Sequence, residues 1–254
     1  MAAERILPIV PALLAPLAVG LARALGGPVF LPILATLAAW PVMTILLVRG
    51  RRPAAVLAVL GWAVSLSVTV IALAATAPSE AGMLILNGPA YRDEMFGFIR
   101  TGAGREADPG RFVPLHLLHL ALFVLLALPS GGLLGIGMGA ALVAYMSFYV
   151  GALAAACPGM ALPFVAGWPP WAIARVAGFV LIGVVLAEPA LAILRRRAGA
   201  PAEPGPRIWI DAAGRRFAPR ALVVAVVLLA ADVALKAWLA PQWAGLLRGC
   251  LSAP

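Results

Sequence analysis

Long apolar stretches alternate with short polar segments along almost the whole chain. A helix needs about 20 apolar residues to cross a hydrocarbon core roughly 30 Å thick. The predicted spans cover residues 6–25, 29–48, 54–77, 113–128, 133–156, 171–194 and 221–239. This pattern predicts an all-α, polytopic transmembrane helical bundle of about seven spans that forms a single integral membrane domain over residues 1–254.

The composition supports this class. Hydrophobic residues make up 63% of the 254 residues and charged residues 11%, which is more apolar surface than a soluble domain of this length can bury. The first stretch also resembles a signal peptide, with Ala22-Arg23-Ala24 as a cleavage site. We expect a retained helix, because the stretch is long and contains prolines. Cleavage would leave six spans.

The arginines cluster in a way that predicts topology. Of 19 Lys and Arg against 10 Asp and Glu, three lie at Arg49, Arg51 and Arg52 and seven lie in a basic linker over residues 195–220. Four spans separate the two clusters, so both fall on one side. The positive-inside rule places that side in the cytoplasm. We therefore expect a bacterial-type inner membrane protein with its N-terminus inside and its C-terminus outside. Its partner is the lipid bilayer and not nucleic acid.

The loop over residues 78–112 differs from the other polar segments. Apolar residues at 91, 95, 98 and 99 follow a helical period, so we expect an amphipathic helix in the outer interface. The segment between Tyr91 and Arg100 is a candidate docking surface for membrane-protein partners. A second candidate is the repeat of Gly131, Gly135 and Gly139, because spacing of four lets another helix approach closely.

Two histidines follow this loop, at the predicted outer end of the fourth span. His116 and His119 are three residues apart, so they share a helix face, and Glu94 lies upstream. Such a group can serve as a catalytic acid–base set. The histidines can also serve as metal ligands, with a divalent metal as the cofactor. Headgroup anchoring is the alternative.

Charged residues inside the predicted spans mark a candidate polar pathway, since such residues are costly in a bilayer. They are Arg175, Glu188, Asp232 and Lys236. Asp232 can pair with Lys236 one turn away or with Arg175 or Glu188 across helices. Tyr145 and Tyr149 also share a face, where they either anchor at the interface or line a polar cavity.

Three functions fit these features. The first is an accessory or scaffold subunit of a membrane complex, supported by plain helices and the absence of a complete catalytic motif. The second is a transporter or permease that uses Asp232 and Lys236. The third is a membrane-embedded hydrolase or metal-site protein that uses Glu94, His116 and His119. Cys157 and Cys250 both fall on the predicted outer side, as a disulfide or as two buried thiols.

Overall fold

The chain folds into a bundle of helices. The computed structural model describes residues 6–159, 163, 166–197 and 212–252, and this part of the chain contains no strand. A 3₁₀ turn (Leu7–Ile9) precedes α1, and another (Arg105–Ala107) precedes α6. The helices are α1 (Val10–Leu25), α2 (Phe30–Val48), α3 (Arg52–Thr76), α4 (Pro78–Leu84), α5 (Gly88–Thr101), α6 (Pro109–Ala127), α7 (Leu133–Ala156), α8 (Pro170–Arg197) and α9 (Ala212–Ser252).

Seven of these helices are long and apolar enough to cross a membrane: α1 with its preceding turn, α2, α3, α6, α7, α8 and α9. The predicted all-α membrane bundle is therefore confirmed. Large apolar side chains such as Leu13, Leu57 and Leu125 are more than half exposed. Exposure of this kind is unfavourable in water and suits a surface that faces lipid.

The bundle has two distinct ends. The end formed by residues 77–108, which carries α4 and α5, is here called the long-loop end. The opposite end, called the arginine end, brings the start of α3 beside α8, where Arg52 Nε lies 2.6 Å from Glu188 Oε1. At the long-loop end the ends of α7 and α9 meet, and Cys157 Sγ donates to the carbonyl of Cys250 at 3.2 Å.

Close packing of α3 against α7 forms the centre of the core. A Cβ added at Gly151 would lie 2.5 Å from the carbonyl oxygen of Ile71, so only glycine fits there. The hydroxyls of Ser67 and Ser147 lie 2.8 Å apart across the same interface. Small residues and interhelical hydrogen bonds are the usual means of helix association in membranes, where apolar contact with lipid competes.

The predicted amphipathic helix is confirmed as α5. Its Met95, Phe98 and Ile99 are buried, while Asp93 is exposed. Phe98 stacks on Trp243 of α9 at a centroid distance of 6.3 Å, and Tyr91 contacts α7 through Tyr145 at 4.6 Å. The apolar face of α5 is thus packed on the bundle.

The last helix is longer than its apolar stretch. The sequence predicts a span over residues 221–239, whereas α9 has 41 residues and runs from Ala212 to Ser252. Helix α8 also continues to Arg197, so the predicted linker over residues 195–220 overlaps two helices. Arginine and alanine are good helix formers, and a prediction from hydropathy alone stops where the charges begin. Residues 198–211 lie outside the described residues.

Candidate functional site

A buried ion pair joins α8 to α9. Arg175 donates from Nε and Nη2 to the two carboxylate oxygens of Asp232, each at 2.8 Å. Asp232 is 2% exposed. A two-pronged contact of this kind is among the strongest that a guanidinium makes, and it offsets the cost of placing both charges at membrane depth. Of the partners considered for Asp232, the structure selects Arg175.

His116 of α6 lies against the same carboxylate. Its Nδ1 is 3.3 Å from Asp232 Oδ2, a distance that fits an ion pair. The geometry is not that of a hydrogen bond, and Nδ1 has no hydrogen-bond partner among the described residues. The His116 ring lies 5.3 Å from the ring of Phe112. The carboxylate of Asp232 therefore contacts both α8 and α6 from its position on α9.

A second buried pair lies one turn along α9. Lys236 Nζ is 2.8 Å from Glu106 Oε2 and 4.5 Å from the centroid of the Phe112 ring. Lys236 is 2% exposed, and Glu106 is 9% exposed. Glu106 lies in the 3₁₀ turn before α6, and the sequence analysis did not select it. Its only sequence signal is its position ten residues before His116 in a loop with several other acids.

Glu94, the acid predicted to act with the histidines, has a different partner. Arg105 donates from Nε to Glu94 Oε1 at 2.7 Å and from Nη2 to Oε2. The hydrogen bonds to Glu94 raise the pKa of Arg105 above its ordinary value. The structure therefore brings His116 and His119 to a cavity wall that also contains Glu106, and Glu94 is not part of that wall.

This wall encloses a polar cavity of about 170 Å³ at the long-loop end. Side chains from α5, α6, α7 and α8 line it, together with the segment that precedes α8. The lining includes Tyr91, Glu106, His116, His119, Tyr145, Tyr149, Trp168 and Arg175. Asp232 and Lys236 are not part of the lining. Asp232 pairs with Arg175 and Lys236 pairs with Glu106, and both of these partners line the cavity. Of the four predicted pathway residues, three therefore belong to one cluster beside this cavity.

Two polar groups of the cavity wall have no hydrogen-bond partner. Tyr149 Oη and Trp168 Nε1 are buried and make no hydrogen bond to any described residue. Tyr149 is 2% exposed. A buried polar group without a partner costs about 1–3 kcal/mol, so such groups are rare and two in one cavity wall call for an explanation. The arrangement fits a cavity that holds a polar molecule.

The neighbouring Tyr91 remains a hydrogen-bond donor. Burial raises the pKa of Tyr91 well above its ordinary value, and the negative charge of Glu106 adds to the effect. Since an acid with a raised pKa keeps its proton, the hydroxyl stays neutral throughout the physiological pH range. The wall is therefore rich in hydrogen-bond donors, which are the hydroxyls of Tyr91, Tyr145 and Tyr149, the indole N–H of Trp168 and the guanidinium of Arg175.

An apolar crevice extends from the cavity toward the arginine end. Its wall contains Gly132, Gly135, Gly139 and Gly183, so it is here called the glycine crevice. It shares His119, Tyr145 and Arg175 with the polar cavity. A Cβ added at Gly139 would meet nothing within 4 Å, while one at Gly135 would lie 2.7 Å from the Cβ of Ala127. Gly131 belongs to the turn before α7, so the predicted glycine repeat only partly shares a helix face.

The fourth predicted pathway residue lies beyond this crevice. Val184 of α8 lines the crevice, and Glu188 follows it one turn later on the same face, where it pairs with Arg52. Both side chains are about nine-tenths buried or more. The charged residues predicted for one path are thus in two clusters, with the apolar crevice between them.

Metal and thiol chemistry have less support. In the part of the chain that the structure describes, no three His, Cys, Asp or Glu side chains gather closely enough to hold a metal ion. Cys157 and Cys250 are not joined by a disulfide, and both are buried. Burial raises the pKa of Cys157 to about 12, so its thiol is protonated and unreactive at neutral pH.

Taken together, the site presents donor groups and compensated charges around a cavity that continues into an apolar crevice. Such a site can bind a molecule with hydrogen-bond acceptors without a change in the net charge of the protein. Comparison of the chain with known protein families, with curated proteins and with solved structures finds no match.

Proposed function

We propose that the protein is a transporter that binds a small, acceptor-rich solute in the polar cavity at the long-loop end. The observation that carries this proposal is that two buried donors without a hydrogen-bond partner, Tyr149 Oη and Trp168 Nε1, lie in the wall of one cavity beside His116 and Arg175. Carboxylates and phosphates have the acceptor oxygens that these donors and the nearby Arg175 match.

The remaining polar residues support a path and not only a binding site. The cavity continues into the glycine crevice, and the Arg52–Glu188 pair follows at the arginine end. Ionisable residues within spanning helices commonly mark such paths. In this proposal Asp232 and Lys236 position Arg175 and Glu106, and the Arg52–Glu188 pair closes the path at the arginine end. The positive-inside rule makes that end cytoplasmic.

The enzyme hypothesis has weaker support. Glu94 is held by Arg105, so the predicted catalytic acid does not face His116 or His119. A reaction at one membrane surface also gives no reason for an apolar crevice that extends from the cavity into the bundle. Glu106 remains an acid beside the histidines, and a role in proton transfer during transport suits it equally.

Uptake into proteoliposomes tests the transporter proposal. We expect one or more radiolabelled solutes from a panel of small carboxylates, phosphates, sugars and amino acids to accumulate, with the first two classes preferred. Tyr149→Phe removes one donor with little change of shape and should slow uptake about tenfold, since an unmade hydrogen bond costs about 1–3 kcal/mol. Asp232→Asn should slow it further.

Glu80→Gln is the matched control, because Glu80 forms an exposed ion pair with Arg23 at the same end of the bundle. This variant should transport at the wild-type rate. The proposal is contradicted if no solute of the panel enters, or if uptake is the same in wild type, Tyr149→Phe and Asp232→Asn.

A second candidate function, a subunit of a membrane complex, has one observation in its favour. A groove of about 510 Å³ lies on the outward side of α5, between Arg92, Phe96 and Arg100 on one side and the end of α7 on the other. Arg100 lies over the ring of Phe96 at 5.9 Å. Arginine and aromatic side chains are enriched in protein interfaces, so the groove suits a partner helix or loop.

Native electrophoresis of mildly solubilised membranes tests this candidate. We expect wild type to migrate with a partner, well above the purified monomer, and Arg92→Glu/Arg100→Glu to migrate as the monomer. Arg23→Glu, an exposed arginine at the same end, is the control and should keep the complex. Monomer migration of wild type, or no effect of the double substitution, would leave the subunit hypothesis without support.

A further inference from the structure

The continuity of the polar cavity with the glycine crevice suggests the shape of the ligand. The two spaces share His119, Tyr145, Met146 and Arg175 in their walls, so one molecule can extend from one into the other. The cavity has polar walls, whereas the crevice is lined mainly by Val, Phe, Met and Gly. A ligand that fills both spaces therefore has a polar part and an apolar part.

The crevice is small. Its free volume is about 60 Å³, against about 170 Å³ for the cavity. A single water-sized sphere needs roughly 10–15 Å³, so the crevice holds about four chain atoms. Gly139 is in its wall, and a Cβ added there would meet nothing within 4 Å. This volume suits the first carbons of an alkyl chain.

Two unpaired donors, independent of the glycines, point to an occupant. Tyr149 Oη and Trp168 Nε1 are buried in the wall of the polar cavity and have no hydrogen-bond partner among the described residues. Buried polar groups are normally hydrogen-bonded, so a head group in the cavity would supply the acceptor that both donors lack.

We propose that the ligand is a single-chain amphiphile, whose oxyanion head group lies in the polar cavity and whose first alkyl carbons lie in the glycine crevice. This inference rests on the proposed function, because it names the substrate class of the same site. The head group accepts hydrogen bonds from Tyr149, Trp168 and Arg175. The chain displaces no charged group, since the crevice walls beyond Arg175 are apolar.

Binding of three probes to the full chain in nanodiscs tests the inference. The probes are octyl phosphate, inorganic phosphate and 1-octanol, and the readout is the fluorescence of the tryptophans, of which Trp168 and Trp171 line the cavity. Each buried methylene strengthens binding about fourfold. With about four methylenes in the crevice, octyl phosphate should bind roughly 250-fold more tightly than inorganic phosphate, and 1-octanol should bind weakly.

Two variants separate the inference from the proposed function. Gly139→Leu places a side chain in the crevice and should reduce octyl phosphate affinity to nearly that of inorganic phosphate, with no effect on inorganic phosphate. Tyr149→Phe should weaken both. Gly20→Leu on α1 is the matched control, because its added side chain also meets nothing within 4 Å and lies away from the crevice.

The outcomes differ for the two proposals. Equal binding of octyl phosphate and inorganic phosphate, or full octyl phosphate affinity in Gly139→Leu, overturns the amphiphile inference. The transporter proposal survives if inorganic phosphate still binds in a Tyr149-dependent manner. Binding of none of the probes overturns the inference, and the uptake panel then decides the transporter proposal on its own.

Discussion

Replacement of Asp232 by leucine should lower the free energy of unfolding by about 3–5 kcal/mol, because it leaves one charge of a buried ion pair without its partner. The substitution removes the carboxylate that accepts two hydrogen bonds from Arg175 and that lies 3.3 Å from His116 Nδ1. The guanidinium of Arg175 would then stay at membrane depth without its counter-ion. A titration of the purified protein with SDS, followed by circular dichroism, measures the loss.

A double substitution shows whether the lost charge partner is the cause. Arg175→Met/Asp232→Leu removes both charges and fills similar volume, and replacing both members of a buried pair is often neutral or stabilising. The double variant should thus be more stable than Asp232→Leu alone. Glu80→Leu is the control at an exposed pair and should cost about 0–1 kcal/mol. Equal losses in the single and double variants would mean that packing, not charge, determines the stability there.

Loss of Glu188 should have an effect of similar size at the arginine end. Glu188→Leu removes a carboxylate 2.6 Å from Arg52, and both side chains are about nine-tenths buried or more. The expected loss is again about 3–5 kcal/mol, because one charge of a buried pair remains. The same SDS titration measures it, with Arg49→Gln as the control, since an exposed arginine nearby should change stability by less than about 0.5 kcal/mol.

The transporter proposal gives this pair a second testable role, because there it closes the path at the arginine end. Glu188→Gln keeps the shape of the side chain and weakens its attraction to Arg52, so under the proposal the path should open more often. Passive efflux of a transported solute from preloaded proteoliposomes should then rise several-fold over wild type. Efflux unchanged in Glu188→Gln and in Arg52→Gln would show that the pair holds α3 to α8 without closing a path.

The spans are predictable from the sequence because bilayer thickness sets a minimum length for an apolar helix. Six predicted spans match α1, α2, α3, α6, α7 and α8 to within a few residues. The ends of α9 are not predictable in this way, since arginines, prolines and glycines beyond the apolar stretch remain helical. Helix α5 is predictable from its period alone, because its apolar residues meet α7 and α9 on a single face.

The site is only partly predictable. The expense of charge in a bilayer identifies Arg175, Asp232 and Lys236 as paired residues, but several pairings satisfy the same rule. The pairs Arg175–Asp232 and Lys236–Glu106 follow from how α8 and the turn at Glu106 pack beside α9, and this is tertiary information. Nothing in the sequence distinguishes Glu94 from Glu106 as the acid that lies beside the histidines. The structure distinguishes them, because Arg105 binds Glu94 whereas Glu106 lines the cavity with His116 and His119.

The ion pairs of α9 also bear on how the protein is made. Helix α9 is synthesised after α8 and after the turn that carries Glu106, and it brings an acid and a lysine into the membrane. On insertion scales each of those charges costs about 2.5–3.5 kcal/mol at the helix centre. Arg175 and Glu106 are already present when α9 leaves the ribosome. Asp232 can therefore pair with Arg175, and Lys236 with Glu106, as the helix enters the membrane. The two ion pairs that hold α9 beside the polar cavity in the finished protein would then first guide the last helix into place.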